Sequence, residues 1–324
     1  MAVPAPSPLK PYLPQIKVIG AGGGGGNVIA RMTRDGIEGV HLIAANTDQQ
    51  ALRATKADYQ VLLGRRTTGG RGAGSRPELG TEAAEESQQE LLTLLEGAEM
   101  VFIAAGMGGG TGTGAAPVIA RLARHRVGAL TVAVVTLPFS FEGKRRMGVA
   151  RTGLEKLRAE ADIVLAIPND RLLGLIPRST SMIDAFRMAD QVLVDVIQGV
   201  SDLVTHAGLI NVDLADVRTI MEYKGGAVIG KGTAAGEDGL LKAAERALKN
   251  PLMGATDLKG AKGILAHVMG SPRLSLVDVH HAMDTIDKLS GHEANVIFGA
   301  TTREDMADQV SIILIVTGLP QEAA

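Results

Sequence analysis

Cysteine and tryptophan are both missing from this 324-residue chain. Without cysteine there can be no disulfide, no thiolate nucleophile and no cysteine-ligated metal. Aromatics are scarce too, with five phenylalanines and three tyrosines, so any core must be built from Val, Ile, Leu, Ala and Met. Neither sign of charge dominates: 33 basic and 35 acidic residues leave a net charge of −2, which argues against a dedicated nucleic-acid binder. No apolar run reaches the roughly 18 residues of a membrane span, and no signal peptide opens the sequence. Direct membrane insertion is therefore not expected, and the cytoplasm is the expected compartment. The seven histidines hold no H-E-x-x-H pattern, and adjacent His280 and His281 cannot both face one metal from a helix, so no side-chain metal site is assigned.

Glycine is what the chain has in quantity, 41 residues, and five of them fall in Gly108-Gly109-Gly110-Thr111-Gly112-Thr113-Gly114. Each glycine costs conformational entropy on folding, so such a run is not a stability device. It follows Met100-Val101-Phe102-Ile103-Ala104-Ala105, which reads as a buried strand of a parallel sheet. A helical pattern begins after it at Ala115, with Pro117 in the first turn, where its missing N–H costs little. Backbone N–H groups bare of side chains, set between a strand's end and a helix's start, can surround a phosphate. Thr111 and Thr113 would add hydroxyls to the same arc.

A second run, Gly20-Ala21-Gly22-Gly23-Gly24-Gly25-Gly26-Asn27, follows the strand pattern of Gln15–Ile19 and leads to a helix opening at Val28. Gly20, Gly22 and Gly25 fit the dinucleotide fingerprint G-x-G-x-x-G, which also wants an acid ending the second strand. Here the strand Val40–Ala45 is followed by Asn46-Thr47-Asp48, later than that pattern expects, and Asn46 and Asp48 serve equally well as helix caps. Two glycine-rich turns aimed at one crevice suit a longer phosphate chain than a dinucleotide's. The stretch Gly225–Gly232 comes near a Walker A loop, but it has Gly232 where Ser or Thr must hold magnesium and no helix start follows Lys231, so it reads as a strand.

The chain suits two domains. Residues 1–14 hold five of the thirteen prolines and read as a disordered arm. From 15 to 180, strands at 15–20, 40–45, 100–105, 129–137 and 162–167 alternate with helical stretches, the sign of a parallel sheet covered on both faces. Residues 181–208 read as one long helix, closed by Gly208. From 209 to 324 the pattern is mixed, with strands near 218–230, 261–269, 293–302 and 308–317 and helices at 239–249 and 275–290. The expected fold is α/β: a parallel-sheet nucleotide-binding domain joined by a long central helix to a smaller α+β domain.

The two glycine runs, the segment Asn211-Val212-Asp213-Leu214-Ala215-Asp216 and this layout together resemble the FtsZ family of bacterial tubulin homologues, from about residue 15 to 317. The resemblance implies a cytoskeletal GTPase that binds GTP and GDP, carries Mg2+ mainly through the phosphates, and polymerises head to tail into the cell-division ring. It implies the chain itself as partner, together with division proteins and membrane anchors recruited by a C-terminal tail; this sequence stops at Ala324 without one. A tubulin-like filament protein with another role or weak GTPase activity would share the pattern. An NAD-dependent oxidoreductase would need a His/Lys/Tyr constellation that is not apparent.

Residue by residue, Gly23, Gly24 and Asn27 match the family loop that holds the α- and β-phosphates, with Gly109, Gly110, Thr111, Gly112 and Thr113 opposite. Asn46, Thr47 and Asp48 match the loop near the γ-phosphate and magnesium, and Gly74 lies in a second γ-phosphate loop. Pro138, Glu142 and Arg146 fall in a segment resembling the ribose loop, Glu142 accepting from ribose hydroxyls and Arg146 facing the sugar and phosphates. Taken alone, Lys144-Arg145-Arg146 reads as a solvated helix start. Asn169 follows the strand Ile163–Pro168 at the crevice, and Phe186 and Asp190 share a helix face. Phe186 can stack on a base while Asp190 accepts from the N1–H and amine of guanine, donors that adenine lacks.

Asp213 and Asp216, three apart at a helix start, would by themselves be an N-cap and a dipole-stabilised acid. In the family the matching aspartates enter the next subunit's nucleotide pocket and polarise the attacking water, and Asn211 helps to place them. One departure stands out. Where the family usually reads G-A-G-A-N-P-E, this chain has Gly72-Ala73-Gly74-Ser75-Arg76-Pro77-Glu78, with Arg65, Arg66 and Arg71 nearby.

Overall fold

Thirteen of the 21 α-helices and β-strands among the described residues build one parallel sheet and its covering helices. The computed structural model describes residues 13–177, 179–206, 208–254 and 258–320, so most of the expected N-terminal arm lies outside the described residues. The first unit comprises β1 (Ile16–Ala21), α1 (Gly22–Arg34), β2 (Val40–Asn46), α2 (Gln49–Ala54), β3 (Tyr59–Leu62), α3 (Pro77–Glu86) and α4 (Gln88–Leu95). It continues through β4 (Met100–Gly106), α5 (Thr111–Arg121), β5 (Leu130–Leu137), α6 (Lys144–Glu160), β6 (Ile163–Pro168) and α7 (Asn169–Leu172). The strand order is β3-β2-β1-β4-β5-β6, every neighbouring pair parallel. Side chains alternate across a strand, so Val18, Phe102 and Val132 enter one apolar cluster while Ile19, Ile103 and Val135 enter the other. Both faces are buried, which is why these strands read as unbroken apolar runs. Strand β3, only four residues long, has no such run and escapes a sequence reading.

The long helix α8 (Met182–Thr205) follows, capped by the Ser181 hydroxyl accepting from the Asp184 amide at 3.1 Å. Its buried face, including Leu193, Ile197 and Val200, packs in one cluster with residues of both sheets, among them Val132 from the first and Ile229 and Ile313 from the second. Gly208 does not close it as expected: the helix stops at Thr205 and His206 is already extended. Glycine is needed at 208 for a different reason, since a Cβ there would stand 2.3 Å from the Ala300 carbonyl oxygen.

The remaining elements are α9 (Leu214–Met221), β7 (Gly226–Ala235), α10 (Gly239–Leu248), β8 (Gly263–Gly270), α11 (Leu276–Ser290), β9 (Asn295–Thr302) and β10 (Gln309–Leu319). Their sheet runs β7-β10-β8-β9, with β10 antiparallel to both neighbours and β8 parallel to β9. The strand expected near 218–230 starts only at Gly226, because Val217, Ile220 and Met221 are buried at helical spacing on α9. The Walker-like stretch is strand β7, as expected. Its Gly230 and Gly232 let α10 lie directly on the strand, since a Cβ at either would come within 2.2 Å of the Ala247 or Ala243 carbonyl oxygen. Among the described residues no helix is long and apolar enough to cross a membrane.

Candidate functional site

Strands β1 and β4 are neighbours although 84 residues separate Ile16 from Met100, and the sheet grows away from them in opposite directions. Their carboxyl ends therefore open onto the crevice where ligands bind in open α/β sheets. Both glycine runs leave from these two ends. Neither is quite the loop that the sequence suggests. The first is the opening of α1 itself, which starts at Gly22 rather than Val28. The second enters α5 at Thr111 rather than Ala115, so Pro117 lies inside the helix and not in its first turn. The first intrahelical bond of α5 runs from the Gly114 amide to the Gly110 carbonyl at 3.0 Å, so the amides of Thr111, Gly112 and Thr113 lie before it.

The two runs touch backbone to backbone. A Cβ on Gly22, where φ is +72°, would stand 2.8 Å from the Gly112 nitrogen, and one on Gly24 would stand 3.1 Å from the Gly106 nitrogen. Gly23 and Gly109 are different: a Cβ on either would meet nothing within 4 Å. Both face a cleft of about 330 Å³.

Thirteen of the residues expected from sequence line that cleft: Gly23, Gly24, Asn27, Gly109, Gly110, Thr111, Gly112, Pro138, Glu142, Arg146, Asn169, Phe186 and Asp190. Gly106, Met107, Thr136 and Ala189 line it as well; each adjoins or lies near a motif residue, and their proximity was the only signal for them. Four expected residues lie outside. The Thr113 hydroxyl accepts from the Gly108 amide at 2.8 Å, so it braces the loop and does not join Thr111 in the arc. Asn46 accepts from the Asp48 amide at 3.2 Å, and Asp48 accepts from the amides of Gln50 and Ala51, capping α2. Gly74 sits at φ +56° on the loop between β3 and α3. That loop lies behind the wall of the cleft: a Cβ on Gly110 would stand 2.8 Å from the Ala73 Cβ.

At the far end of the cleft stand one acceptor without a donor and one largely buried carboxyl. Asn169 is buried, and its Oδ1 has no hydrogen-bond partner. Burial pushes the Asp190 carboxyl up to about 6, against the opposing pull of the Asn27 amide and the Arg31 guanidinium. Phe186 keeps an exposed face, 37% accessible, and meets Phe139 edge to face at 5.3 Å. Glu142 is tied to its own loop: one oxygen accepts from the Phe139 amide at 2.8 Å and the other is 3.2 Å from the Arg146 guanidinium. An aromatic face beside an unpaired amide oxygen and a largely buried carboxyl fits a flat heterocycle that presents N–H groups along one edge.

Asn211, Asp213 and Asp216 are not at this cleft. Asp190 and Thr205 are fifteen residues apart on α8, about 22 Å along its axis, and the aspartates lie past its end. There Asp213 accepts from the Asp216 amide at 2.8 Å and Asp216 accepts from the Asp213 amide at 3.3 Å, a reciprocal capping box on α9. Asn211 accepts from the Gly208 amide at 2.6 Å and so holds the loop.

The model of the Tubulin/FtsZ family GTPase domain matches residues 15–177, and that of the FtsZ family C-terminal domain matches residues 225–320. The chain belongs to the tubulin/FtsZ family. It is 44% identical to FtsZ from M. jannaschii solved as an empty dimer, covering 94% of this chain and 88% of that one at a TM-score of 0.89. A mutant FtsZ from the same organism gives 44% identity, 94% and 91% coverage and a TM-score of 0.90. CetZ2 from Haloferax volcanii, solved as a GTPγS-bound protofilament, shares the fold at 23% identity, with 95% and 94% coverage and a TM-score of 0.82. Most of the cleft's lining thus falls within the matched GTPase domain, the domain whose family activity is guanine-nucleotide binding and GTP hydrolysis, and α8 adds Phe186, Ala189 and Asp190.

Proposed function

We propose that the chain is a GTPase whose active site is completed between two copies, and that it assembles head to tail into filaments serving bacterial cell division. The observation that carries this reading is the length of α8, which keeps Asp213 and Asp216 away from the cleft of their own chain. Copies that each offer a cleft on one face and an aspartate loop on another make a heterologous contact, which yields an open filament when it does not close by rotation.

In this reading guanine stacks on Phe186 and donates its N1–H and amine to Asp190, with Asn169 Oδ1 accepting a further donor. The ribose lies by Glu142 and Arg146. The phosphates lie between Gly23–Gly24 and Gly109–Thr111, where backbone amides and the start of α5 face negative charge. Magnesium would be held mainly by the phosphates and would neutralise charge as the β–γ bridge breaks. The capping box uses one oxygen each of Asp213 and Asp216, leaving Asp213 Oδ2 and Asp216 Oδ1 to orient a water. That water attacks the γ-phosphorus, the bond to the bridging oxygen breaks, and GDP and phosphate leave. Positioning and electrostatics supply most of phosphoryl-transfer catalysis, so withholding two water-orienting carboxylates until assembly gates turnover.

The test is GTP hydrolysis per subunit across protein concentration, with sedimentation in parallel. Near-zero activity below a threshold, rising together with pelletable polymer, is expected. A flat specific activity would remove Asp213 and Asp216 from the mechanism.

A further inference from the structure

The hydroxyl oxygens of Thr47 and Thr111 lie 2.6 Å apart, and either can be the donor. Neither hydroxyl has another partner among the described residues. The two residues differ in their surroundings. Thr47, directly after β2, is fully buried and does not line the cleft. Thr111 opens α5, is half-buried and lines the cleft. Only Thr111 is placed to touch a ligand, so whatever Thr47 does for a ligand it does through Thr111.

Both sides of the contact are braced. The Thr47 carbonyl accepts from the Gly72 amide at 3.1 Å and from the Thr68 hydroxyl at 3.3 Å. A β-branched side chain has few rotamers, so a fixed backbone also fixes its hydroxyl. Thr111 is boxed in as well: a Cβ on Gly22 would stand 3.2 Å from its Cβ, and one on Gly80 would stand 3.2 Å from its Cα. A hydroxyl carries a single proton, so the pair has a direction. If Thr111 donates to Thr47, it turns only lone pairs toward the cleft and repels an anion. If Thr47 donates, the Thr111 proton is free, and an oxygen that already accepts is the better donor. Thr113, two residues on, has no such backing; its hydroxyl accepts from the Gly108 amide at 2.8 Å and braces the loop.

We propose that Thr47 is a positioning residue for the phosphate chain: its buried hydroxyl donates to Thr111 and so aims the Thr111 proton at an anionic oxygen in the cleft. The inference rests on the functional reading above, which puts the phosphates at the Gly109–Thr111 end. An ionised phosphate oxygen only accepts, so its arrival selects this direction of the pair over the other. Thr47 thus acts on the ligand from behind the wall of the cleft without touching it.

The experiment uses the full chain, freed of nucleotide, with GTPγS titrated calorimetrically below the concentration at which polymer pellets. Thr47→Val keeps the shape of the side chain but sets a methyl against the Thr111 oxygen, and Thr47→Ala removes that crowding at the cost of a small void. Melting without nucleotide shows which of them folds as the parent does. Either should lose about tenfold in GTPγS affinity, and Thr47→Ser should stay within about twofold of the parent. Thr111→Val should lose at least as much as Thr47→Ala, and adding Thr47→Ala to it should cost nothing further. Unchanged affinity in a folded Thr47 variant would overturn the proposal, and so would raised affinity, which would mean that Thr111 donates toward Thr47. An equal further loss in the Thr111→Val background would also overturn it, since a purely structural role costs the same with or without the partner hydroxyl. A parent chain that binds no nucleotide would overturn the functional reading itself, a distinct result.

Discussion

Thr47 and Thr111, sixty-four residues apart, meet hydroxyl to hydroxyl at 2.6 Å and tie the end of β2 to the start of α5. Thr47 is fully buried, and its carbonyl also accepts from Gly72 and from the Thr68 hydroxyl. Three separate segments thus converge on one residue behind the Gly109–Thr111 end of the cleft. The glycine runs leave room for a ligand, and this knot keeps the room from collapsing.

Gly23 and Gly25 are two positions apart but differ in what they protect. A Cβ at Gly25 would stand 2.4 Å from the Ala104 carbonyl oxygen and 2.6 Å from the Gly20 carbonyl carbon, backbone atoms that cannot turn aside. Gly25→Ala should therefore destabilise the fold by about 2 kcal/mol or more. Gly23→Ala meets nothing within 4 Å and should melt at or above the parent, since alanine suits a helix better. It should nonetheless lose nucleotide affinity, because the methyl occupies the phosphate cradle. Melting curves and nucleotide titrations on both variants check the contrast; equal affinity in Gly23→Ala would move the phosphates elsewhere.

The raised Asp190 carboxyl fixes the direction of a pH effect. Between its ordinary 3.8 and about 6 the folded chain keeps a proton that the unfolded chain has lost, so empty-state stability falls as pH rises through that window, by roughly 2–3 kcal/mol in all. Guanine donating to the ionised carboxylate does the reverse, so GDP affinity should climb with pH and level off above about 6. Asp190→Asn should melt higher when empty, flatten that climb and lose most of the preference for guanine over adenine nucleotides. Titrations at pH 5 and 7.5 with GDP and ADP decide it.

His267 works in the opposite sense. Burial holds it down at about 4, with its Nε2 and the Thr301 hydroxyl 2.9 Å apart and its Nδ1 facing Gly199 of α8. The unfolded chain takes up this proton near 6.5 and the folded chain only near 4, so stability is whole above 6.5 and falls as pH drops across that window, by up to about 3 kcal/mol. His267→Gln should lack this share of the acid loss. Urea midpoints at pH 7 and 4.5 for parent and variant isolate it from the Asp190 effect, and equal drops in the two would rule it out.

Two defective chains should repair one another. Asp213→Ala keeps a sound cleft and loses the loop carboxylate, at a cost of about 1 kcal/mol for the cap. Asp190→Asn keeps the loop and loses the base site. Neither alone should turn over GTP well, but in an equal mixture roughly a quarter of head-to-tail contacts join a sound cleft to a sound loop. Phosphate release should rise well above the sum of the two alone. A merely additive rate would mean that each chain carries its own machinery.

Much of this molecule is written in local order. The apolar runs at 100–105 and 129–137 read as strands buried on both faces, and glycines placed directly after a strand leave backbone amides bare of side chains. The spacing of Phe186 and Asp190 put a ring and a carboxylate on one face of α8 before any fold was considered. Other outcomes were not local. Whether Asp48 reached a ligand or capped α2, and whether Thr113 faced the cleft or the loop, depended on where neighbouring segments offered amides. The capping box of Asp213 and Asp216 is readable from their spacing, but their distance from the cleft is set by the direction of α8. Above all, the two glycine runs make one cleft only because β1 pairs with β4. That pairing joins residues more than eighty positions apart, and it is chosen by the burial of both sheet faces at once, which no single stretch of sequence contains.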